Sequence, residues 1–213
     1  MKKIASNKTL LVQKAAAINE HILKRGFDFF VASCFLLFIF SWLYPIIALL
    51  IKLETNGLAL FVQERIGLNG KVFKCYKFRT LHTDKNATHS TSITLNYTTP
   101  STKVGSFLRK FNLDELPQFI NVFLGQMSIV GPRPHAIKFH ALYATYVNNI
   151  NDRLLVKPGI TGLAQIQGLR GDVEDEMLNK INIQKRVDAD IQYILNWSFG
   201  LDLKIFCKTF FKV

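Results

Sequence analysis

The chain has 213 residues, of which 49% are hydrophobic, and its 27 Lys and Arg against 15 Asp and Glu give a formal net charge of +12. This length suits one domain, or one domain plus a membrane segment, and leaves little room for a second catalytic domain. The positive charge favours an anionic partner, and nucleic acid, a phosphorylated substrate and acidic lipid are the three alternatives. The three cysteines have no CxxC spacing, which argues against a disulfide framework, a zinc site and cysteine catalysis, and favours a reducing compartment.

The chain begins with a polar leader, residues 1–22, and continues into an apolar run. That run extends from Phe29 to Ile51 without a charge, which is long enough to span a bilayer core of about 30 Å. Pro45 lies near its middle, where it removes a backbone donor and is expected to push Tyr44 out of helical geometry. The sequence therefore predicts a bend in this segment.

Basic residues flank the apolar run on both sides, and positively charged flanks tend to remain in the cytoplasm. Two topologies fit equally well: a re-entrant hairpin over 23–53, which enters and leaves on one face, and a transmembrane helix kinked at the proline. Asp28, at the boundary of the run, is expected to pair with Lys24 or Arg25.

The next stretch, LALFVQERIGLNGKVFKCYKFRTL, predicts a β-hairpin. Its first arm alternates in side-chain character, and Asn69-Gly70 is typical of the turn. The hairpin would present Arg65, Lys77 and Arg79 near its ends. Residues 82–103 are rich in Ser, Thr and Asn and predict a surface loop, in which the histidines are solvated and do not bind metal.

Three later stretches carry apolar residues in helical or buried patterns. A helix is predicted to end near Asn112, an apolar run extends over residues 119–130, and residues 174–195 form a long amphipathic helix. The expected buried face of that long helix consists of Met177, Ile181, Ile191 and Ile194. The glycines of KPGITGLAQIQG are interpreted as serving loop geometry.

At the C-terminus, lysines recur every four residues at Lys204, Lys208 and Lys212. One interpretation is an amphipathic helix lying among the headgroups of an anionic leaflet. The other is a terminal helix that packs on the core and leaves a solvated lysine face. The residues alone do not separate the two.

Two adjacent carboxylates, Asp114 and Glu115, occur in NLDELPQ within an otherwise basic region. Side chains of neighbouring helical residues point about 100° apart, so the pair cannot flank one bond as a glycosidase pair does. Asp is a plausible nucleophile for phosphoryl chemistry and Glu a plausible magnesium ligand. A purely structural role is the alternative: Asp114 or Asn112 caps a helix, and Arg109 offsets the charge. The spacing of the residues, taken alone, favours this structural role.

Several other polar residues are candidates for binding a substrate that carries phosphates, because guanidinium groups match phosphate oxygens and a divalent metal bridges phosphate and carboxylate. They are Lys77, Arg79, Arg109, Gln118, Arg133, Arg153 and Gln165.

Taken together, these motifs resemble the bacterial sugar transferase family, the monotopic polyprenyl-phosphate phosphoglycosyl transferases. The resemblance covers nearly all of the chain from residue 24 onward. The segments that carry it are KRGFDFF (24–30), FVQERIGLNGKVFKCYKFRT (61–80), VGSFLRKFNLDELPQFINVFLGQMSIVGPRPHA (104–136), RLLVKPGITGLAQIQGLRG (153–171) and DIQYILNWSFGLDLKI (190–205). Leu81 stands where the family often has Met, and the loop 82–103 matches no family motif.

The resemblance implies a division of labour in the acidic pair. Asp114 is expected to attack the β-phosphate of a UDP-sugar, release UMP and carry the phosphosugar to undecaprenyl phosphate. Glu115 is expected to bind Mg²⁺, with Asp114 considered as a second ligand. The substrate-binding candidates are the seven residues named above, with Lys77, Arg79, Arg109 and Arg133 the closest matches to family motifs.

The resemblance also implies an α+β, mainly helical fold. Its expected parts are a re-entrant helix-break-helix over 23–53, a small β-hairpin, and interfacial amphipathic helices around a compact catalytic core. Residues 54–213 would form the catalytic domain on the cytoplasmic face of the bacterial inner membrane. The expected partners are a UDP-sugar, undecaprenyl phosphate and membrane lipids, with a homodimer also considered and no nucleic acid.

The GPRPHA and LRG stretches point to a hexose as the transferred sugar. Two rival functions are a membrane-anchored module that binds anionic lipid without catalysis and a glycosyltransferase that releases UDP.

Overall fold

The computed structural model of the chain describes residues 2–82, 100–169 and 175–210, and side chains from residue 8 to residue 209 within those ranges. The helices are α1 Lys2–Glu20, α2 Ile22–Phe35, α3 Ser41–Glu54, α4 Lys103–Lys110, α5 Gln118–Phe123, α6 Ile137–Ala144, α7 Leu163–Ile166, α8 Glu176–Leu195 and α9 Phe199–Phe210. The strands are β1 Leu60–Ile66, β2 Val72–Phe78, β3 Ser128–Val130 and β4 Gly159–Thr161. The prediction of a mainly helical fold with a small antiparallel hairpin is confirmed.

The apolar run forms one continuous helix, Ile22–Glu54, and among the described residues this is the one helix long and apolar enough to cross a membrane. A π-helical turn over Leu36–Phe40 joins α2 to α3. Pro45 lies inside α3 and Tyr44 remains helical, so the expected departure of Tyr44 is wrong. Pro45 has no N–H to donate to the Ser41 carbonyl. Ser41 directly follows the π-helical turn, so the irregularity of the helix lies upstream of the proline.

Side chains supply donors to backbone carbonyls at this π-helical turn. Ser41 Oγ donates to the Leu37 carbonyl at 2.6 Å, and Trp42 Nε1 donates to the Phe38 carbonyl at 2.8 Å. A polar backbone group left unpaired in an apolar surrounding costs several kcal/mol. These two bonds therefore allow an irregular turn inside an apolar segment.

One side of this long helix lies against the rest of the protein from end to end. On α2, Asp28 accepts hydrogen bonds from Ser128 Oγ at 3.0 Å and from the Ile129 N–H at 2.8 Å. On α3, Ile47 and Ile51 are buried in a cluster with Phe78 and Leu108. The other side is exposed and apolar; it includes Phe30, Leu37, Phe38, Trp42, Leu49 and Leu53.

The β-hairpin forms as predicted, with β1 antiparallel to β2 and Phe61 opposite Lys77. Asn69 and Gly70 have φ of 53° and 77°, the left-handed conformation that an Asn-Gly turn accommodates. The outer edge of β2 is bonded to one buried side chain: Asn121 of α5 accepts from the Tyr76 N–H at 3.1 Å and donates to the Lys74 carbonyl at 2.7 Å. This amide joins β2 to α5.

The main core draws on segments far apart in sequence. Residues 2–20, polar in composition, form α1 and bury Leu11, Ala15 and Ile18 against it. Ile194 of α8 and Ile205 of α9 are fully buried in the same cluster. Lys204 and Lys208 are exposed, which both interpretations of the terminal helix expect; Lys212 lies outside the described side chains.

Strands β3 and β4 pair in parallel, and their connection is tight. Gly131 N–H donates to the Thr161 carbonyl at 2.8 Å, and Gly159 N–H donates to the Pro132 carbonyl at 2.9 Å. A Cβ atom on either glycine would collide with backbone of the other segment. Gly131 and Gly159 therefore serve close backbone approach between strands. For Gly159 this differs from the predicted role in loop geometry, which Gly168 fulfils with a φ of 82°.

The predicted buried face of α8 is confirmed at Ile194 and Ile191 and is wrong at the start of the helix. Met177 and Ile181 are 73% and 42% exposed, whereas Ile183 and Val187 are fully buried. The prediction failed at Met177 and Ile181 because polar residues occupy part of the true buried face. Asp190 is one of them, and it is 1% exposed because it pairs with a buried arginine.

The ion pairs at the start of α2 also differ from expectation. Lys24 pairs with Asp202 of α9 at 2.7 Å, and Asp28 bonds to β3 instead of bonding to Lys24 or Arg25. Asp202 also accepts from Tyr193 Oη at 2.8 Å and from Trp197 Nε1 at 3.0 Å. The first turn of the apolar helix is thus joined to the C-terminal helix through a fully bonded buried carboxylate.

This network predicts that replacing the Asp202 carboxylate by an amide lowers the free energy of unfolding strongly. Asp202→Asn leaves the Lys24 ammonium buried without a counter-charge, and breaking a buried pair in this way costs about 3 kcal/mol. Chemical unfolding in detergent measures the loss. The matched control, Glu176→Gln, removes the exposed partner of Lys180 on α8 and should leave the unfolding midpoint unchanged. Equal midpoints for both variants would contradict a stabilising role for the buried pair.

Candidate active site

The acidic pair lies on a short 3₁₀ turn, Leu113–Glu115, between α4 and α5. The start of α4 is capped by Thr102, whose Oγ1 accepts from the Gly105 N–H at 2.8 Å, and by Glu54 at the end of α3. At the other end of α4 the chain reverses through Asn112, whose φ is 55°. Neither Asn112 nor Asp114 caps a helix with its side chain, so the capping alternative is wrong.

Glu115 is held by two cations. Lys77 Nζ lies 2.8 Å from Oε1, Arg133 donates to Oε2 at 2.8 Å, and its second terminal nitrogen donates to Oε1. Only 13% of the Glu115 side chain is exposed. This is a bidentate arginine pair reinforced by a lysine, the strongest arrangement for fixing a carboxylate.

The charges around Glu115 decide its ionisation. Burial by itself would raise the pKa of Glu115, but Arg133 and Lys77 outweigh burial and hold that pKa well below the ordinary value. Burial lowers the pKa of Lys77, against the opposing effect of Glu115. The pKa of Arg133 is raised: burial would lower it, and the neighbouring Glu115 carboxylate overrides that effect. Glu115 is therefore ionised in this site at neutral pH.

Asp114 has a different environment. Its carboxylate makes no hydrogen bond or ion pair with any described residue, although it is partly buried. Burial and the neighbouring Glu115 charge raise the pKa of Asp114, against the attraction of Lys77, Arg109 and Arg133. The two carboxylates thus have opposite properties: one is fixed and neutralised, and the other is free and more basic.

Arg133 is placed by a buried arginine behind it. Arg153 donates to the Arg133 carbonyl at 2.7 Å, contacts His135, and pairs with Asp190 of α8 at 2.7 Å. Only 2% of Arg153 is exposed. Arg153 therefore holds the 131–135 loop, and its guanidinium does not face Glu115.

The other candidate residues are distributed around the site. Arg109 is exposed and donates to Thr80 Oγ1 at 2.8 Å, and it is close enough to lower the pKa of Asp114. Arg79 faces away, donating to the carbonyls of residues 55 and 56 beyond the end of α3. Gln118 is buried at the start of α5, and Gln165 is buried on α7.

Arg65 belongs to the site but was missing from the candidate set. It donates to the Pro134 carbonyl and to Gln63 Oε1, and burial and the nearby Arg133 charge lower its pKa. Phe61 lies opposite Lys77 on the hairpin, and Phe61 and Arg65 share a face of β1. The alternation of side chains along β1 therefore already placed Arg65 on the same face of the hairpin as Lys77. Asn121 was also missed, because a buried amide has no sequence pattern of its own.

The site suits a divalent cation only in part. Among the described residues no group of three or more His, Cys, Asp or Glu side chains could hold a metal ion. Both Glu115 oxygens are bonded to cationic donors, whereas the Asp114 carboxylate is open. Mg²⁺ commonly uses one or two carboxylates together with substrate phosphates and water, and Asp114 offers such a carboxylate.

Comparison with known proteins identifies the family. Residues 19–213 match the family described as "Bacterial sugar transferase", and the chain belongs to that family.

Characterised relatives extend this match. The chain is 47% identical over 193 residues to "UDP-glucose:undecaprenyl-phosphate glucose-1-phosphate transferase" of Escherichia coli K12, with 91% of this chain and 40% of that protein covered. It is 41% identical to "Exopolysaccharide production protein PSS" of Rhizobium leguminosarum, covering 88% of this chain and 93% of that protein. It is 36% identical to the "UDP-N-acetylgalactosamine-undecaprenyl-phosphate N-acetylgalactosaminephosphotransferase" of Aeromonas hydrophila, covering 42% of that protein. The chain thus spans less than half of two of these relatives and nearly all of the third.

The contrast between the two carboxylates predicts opposite effects on stability. Glu115→Gln leaves Lys77 and Arg133 without a counter-charge and should lower the free energy of unfolding by about 3 kcal/mol. Asp114→Asn removes a carboxylate that has no partner and should leave stability unchanged or slightly higher. Unfolding of both variants at neutral pH provides the measurement, and an equal loss in each would contradict the assignment.

The same environment sets a pH dependence for the stability effect. Because the folded-state pKa of Glu115 lies below its unfolded value of 4.5, its contribution is fully present above that pH and is lost on acidification below it. The stability difference between wild type and Glu115→Gln should therefore shrink as pH falls below 4.5. A difference that stays constant down to the lowest usable pH would argue against the ion pair as its source.

Proposed function

We propose that this protein transfers a sugar-1-phosphate from a UDP-sugar to undecaprenyl phosphate through an intermediate on Asp114. The observation that carries the proposal is the free, basic carboxylate of Asp114 beside a carboxylate already neutralised by Lys77 and Arg133. A nucleophile needs an unpaired oxygen, and Asp114 has one. The family membership and the activities for which the Escherichia coli and Aeromonas hydrophila relatives are named support the reaction class.

The reaction balances as two displacements at one phosphorus. An Asp114 oxygen bonds to the β-phosphorus of the UDP-sugar as the bond to the bridging oxygen breaks, and UMP leaves with that electron pair. A phosphate oxygen of the acceptor then bonds to the same phosphorus, and Asp114 leaves as a carboxylate. The products are the polyprenyl-diphosphate sugar and UMP, and no water enters. Dividing the transfer in this way predicts ping-pong kinetics.

The cations around Glu115 fit a diphosphate substrate. Arg133, with its side chain 32% exposed, is held in place by Glu115 and retains an open side, and Arg109 lies at the surface. Oriented guanidinium groups recognise phosphate oxygens and stabilise charge as it develops in transfer. Glu115 acts here mainly by fixing Lys77 and Arg133 in place.

Mg²⁺ would be held by Asp114 and the substrate phosphates, since the Glu115 oxygens already have partners. When bound, it would neutralise charge on the diphosphate. Glu115 remains a candidate ligand if substrate binding draws Arg133 away from it.

The apolar helix suits a membrane anchor that places this site at the bilayer surface. Its inner side contacts the domain from Asp28 to Glu54, whereas a helix crossing the bilayer would leave the domain along much of its length. A re-entrant segment, which would bend at the π-helical turn over Leu36–Phe40, accounts for this contact. The expected location is the bacterial inner membrane, with the domain on the cytoplasmic face, where a soluble UDP-sugar and a lipid phosphate meet.

The donor is proposed to be a UDP-hexose. The E. coli relative named for UDP-glucose is 47% identical, and the relative named for UDP-N-acetylgalactosamine is 36% identical. UDP-glucose is therefore the first donor to test.

The decisive experiment uses UDP-glucose labelled in its β-phosphate, detergent-solubilised protein and Mg²⁺, without acceptor. Wild type should release UMP and retain label on the protein in a hydroxylamine-sensitive bond, the behaviour of an acyl phosphate. Asp114→Asn should retain none, and added undecaprenyl phosphate should discharge the wild-type label. Release of UDP would establish a glycosyltransferase instead, and full activity in Asp114→Asn would refute the proposed nucleophile.

The pH profile offers an independent check. The nucleophilic form of Asp114 is the ionised carboxylate. Because the pKa of Asp114 is raised, acidification protonates this carboxylate at a higher pH than it would protonate an ordinary aspartate. Exchange of labelled UMP into UDP-glucose should therefore fall on the acidic side with an apparent pKa above 3.8. A profile flat down to that value would contradict this environment for Asp114.

A further inference from the structure

A cavity of about 460 Å³ lies between α3 and α4, and Leu113, the residue before Asp114, is part of its lining. Its walls are apolar except for one lysine at the rim. Residues from both helices and from the 3₁₀ turn form it; they include Leu43, Ile46, Leu50, Val104, Phe107 and Leu113. Ligand pockets commonly enclose about 300–1,000 Å³, so this groove is large enough for part of a hydrocarbon chain.

The groove follows from two matching helical stripes. On α3, Leu43, Ile46 and Leu50 recur at spacings of three and four, and on α4, Val104 and Phe107 recur at a spacing of three. Each stripe faces the other helix without closing the gap between them. Ile46, Leu50 and Phe107 are 50%, 46% and 57% exposed, so the groove is open along its outer side.

The direction of the groove is fixed by the contact between the helix ends. Glu54 at the end of α3 accepts from the Val104 N–H at 2.9 Å, near the start of α4, so the helices run antiparallel. One end of the groove therefore lies at Leu113, the residue before Asp114, and the other lies at Leu50 and Lys103. From Leu43 to Leu50 the groove is about 10 Å long at 1.5 Å per residue.

We propose that this groove binds the first isoprene units of the polyprenyl acceptor and thereby places the acceptor phosphate at Asp114. The inference rests on the proposed function. The acceptor phosphate must reach the phosphorus held on Asp114, and its chain is attached through a single ester oxygen. The chain must therefore leave the site within a few bonds of Asp114, where the groove begins.

The groove contributes positioning more than burial. A polyprenyl chain in a bilayer is already out of water, so contact with α3 and α4 adds mainly dispersion attraction and a defined geometry. The chain beyond the groove passes through the open outer side, over Ile46 and Phe107, into the surrounding lipid. The apolar helix thus acts as one wall of the acceptor site as well as an anchor.

Adjacent residues on α3 provide a matched pair of variants. Leu50→Trp places a large side chain in the groove end far from Asp114, whereas Leu49→Trp makes the same change at a position that does not line the groove and is 59% exposed. Both variants are compared with undecaprenyl phosphate and with dimethylallyl phosphate, whose single isoprene unit does not reach Leu50. Exchange of UMP with UDP-glucose, which needs no acceptor, is measured in parallel.

Leu50→Trp should lower kcat/KM for undecaprenyl phosphate about tenfold, which is the scale of effect expected when a reacting group is misplaced. It should leave kcat/KM for dimethylallyl phosphate and the rate of UMP exchange unchanged. Leu49→Trp should match wild type in all three assays. Equal behaviour of the two variants with the long acceptor would overturn the proposal. An equal loss with both acceptors in Leu50→Trp would overturn it as well, because a groove that holds the chain cannot affect an acceptor too short to reach position 50. Absence of UMP exchange in wild type would instead refute the proposed function.

Discussion

The site depends on the neutralisation of one buried carboxylate. Glu115 lies between β2, which supplies Lys77, and the loop after β3, which supplies Arg133. A carboxylate so deeply buried is tolerated only when paired, and each cation is equally dependent on Glu115. The ion pairs therefore fix the hairpin, the 3₁₀ turn and the Arg133 loop relative to one another.

The supports around this group extend the same constraint outward. Asn121 bonds the free edge of β2, so that Lys77 cannot move away from the acidic turn. Arg153 bonds the backbone of Arg133 and links it to α8 through Asp190. Strong pairing around Glu115 leaves Asp114 as the acidic side chain of the pair that is not committed to structure. Rigid neighbours and one free nucleophile are what covalent phosphoryl transfer requires of a protein.

Sequence reasoning succeeded where pattern and local chemistry coincide. The Asn-Gly turn, the alternation in β1 and the uncharged run before Lys52 each encode local structure, and each is found. It failed where long-range polar contacts override pattern. Asp190 and Arg153 are charged yet buried because they pair with each other across 37 residues, and this displaced the predicted face of α8. Asp28 likewise bonds β3, about 100 residues away, although nearer basic residues were available.

The acidic pair shows why family resemblance and geometry are both needed. Spacing favoured a helix cap, and the resemblance gave Glu115 to a metal, but both Glu115 oxygens are bonded to Lys77 and Arg133. A metal at Glu115 would have to displace cations from a buried anion, whereas Asp114 offers an open carboxylate at lower cost. Substrate phosphates that attract Arg133 would compete with Glu115 for its donors, so donor binding and the strength of the Arg133–Glu115 pair are coupled. In the proposed reaction Arg133 would contact the diphosphate through its exposed side, while Glu115 holds the rest of the guanidinium in place.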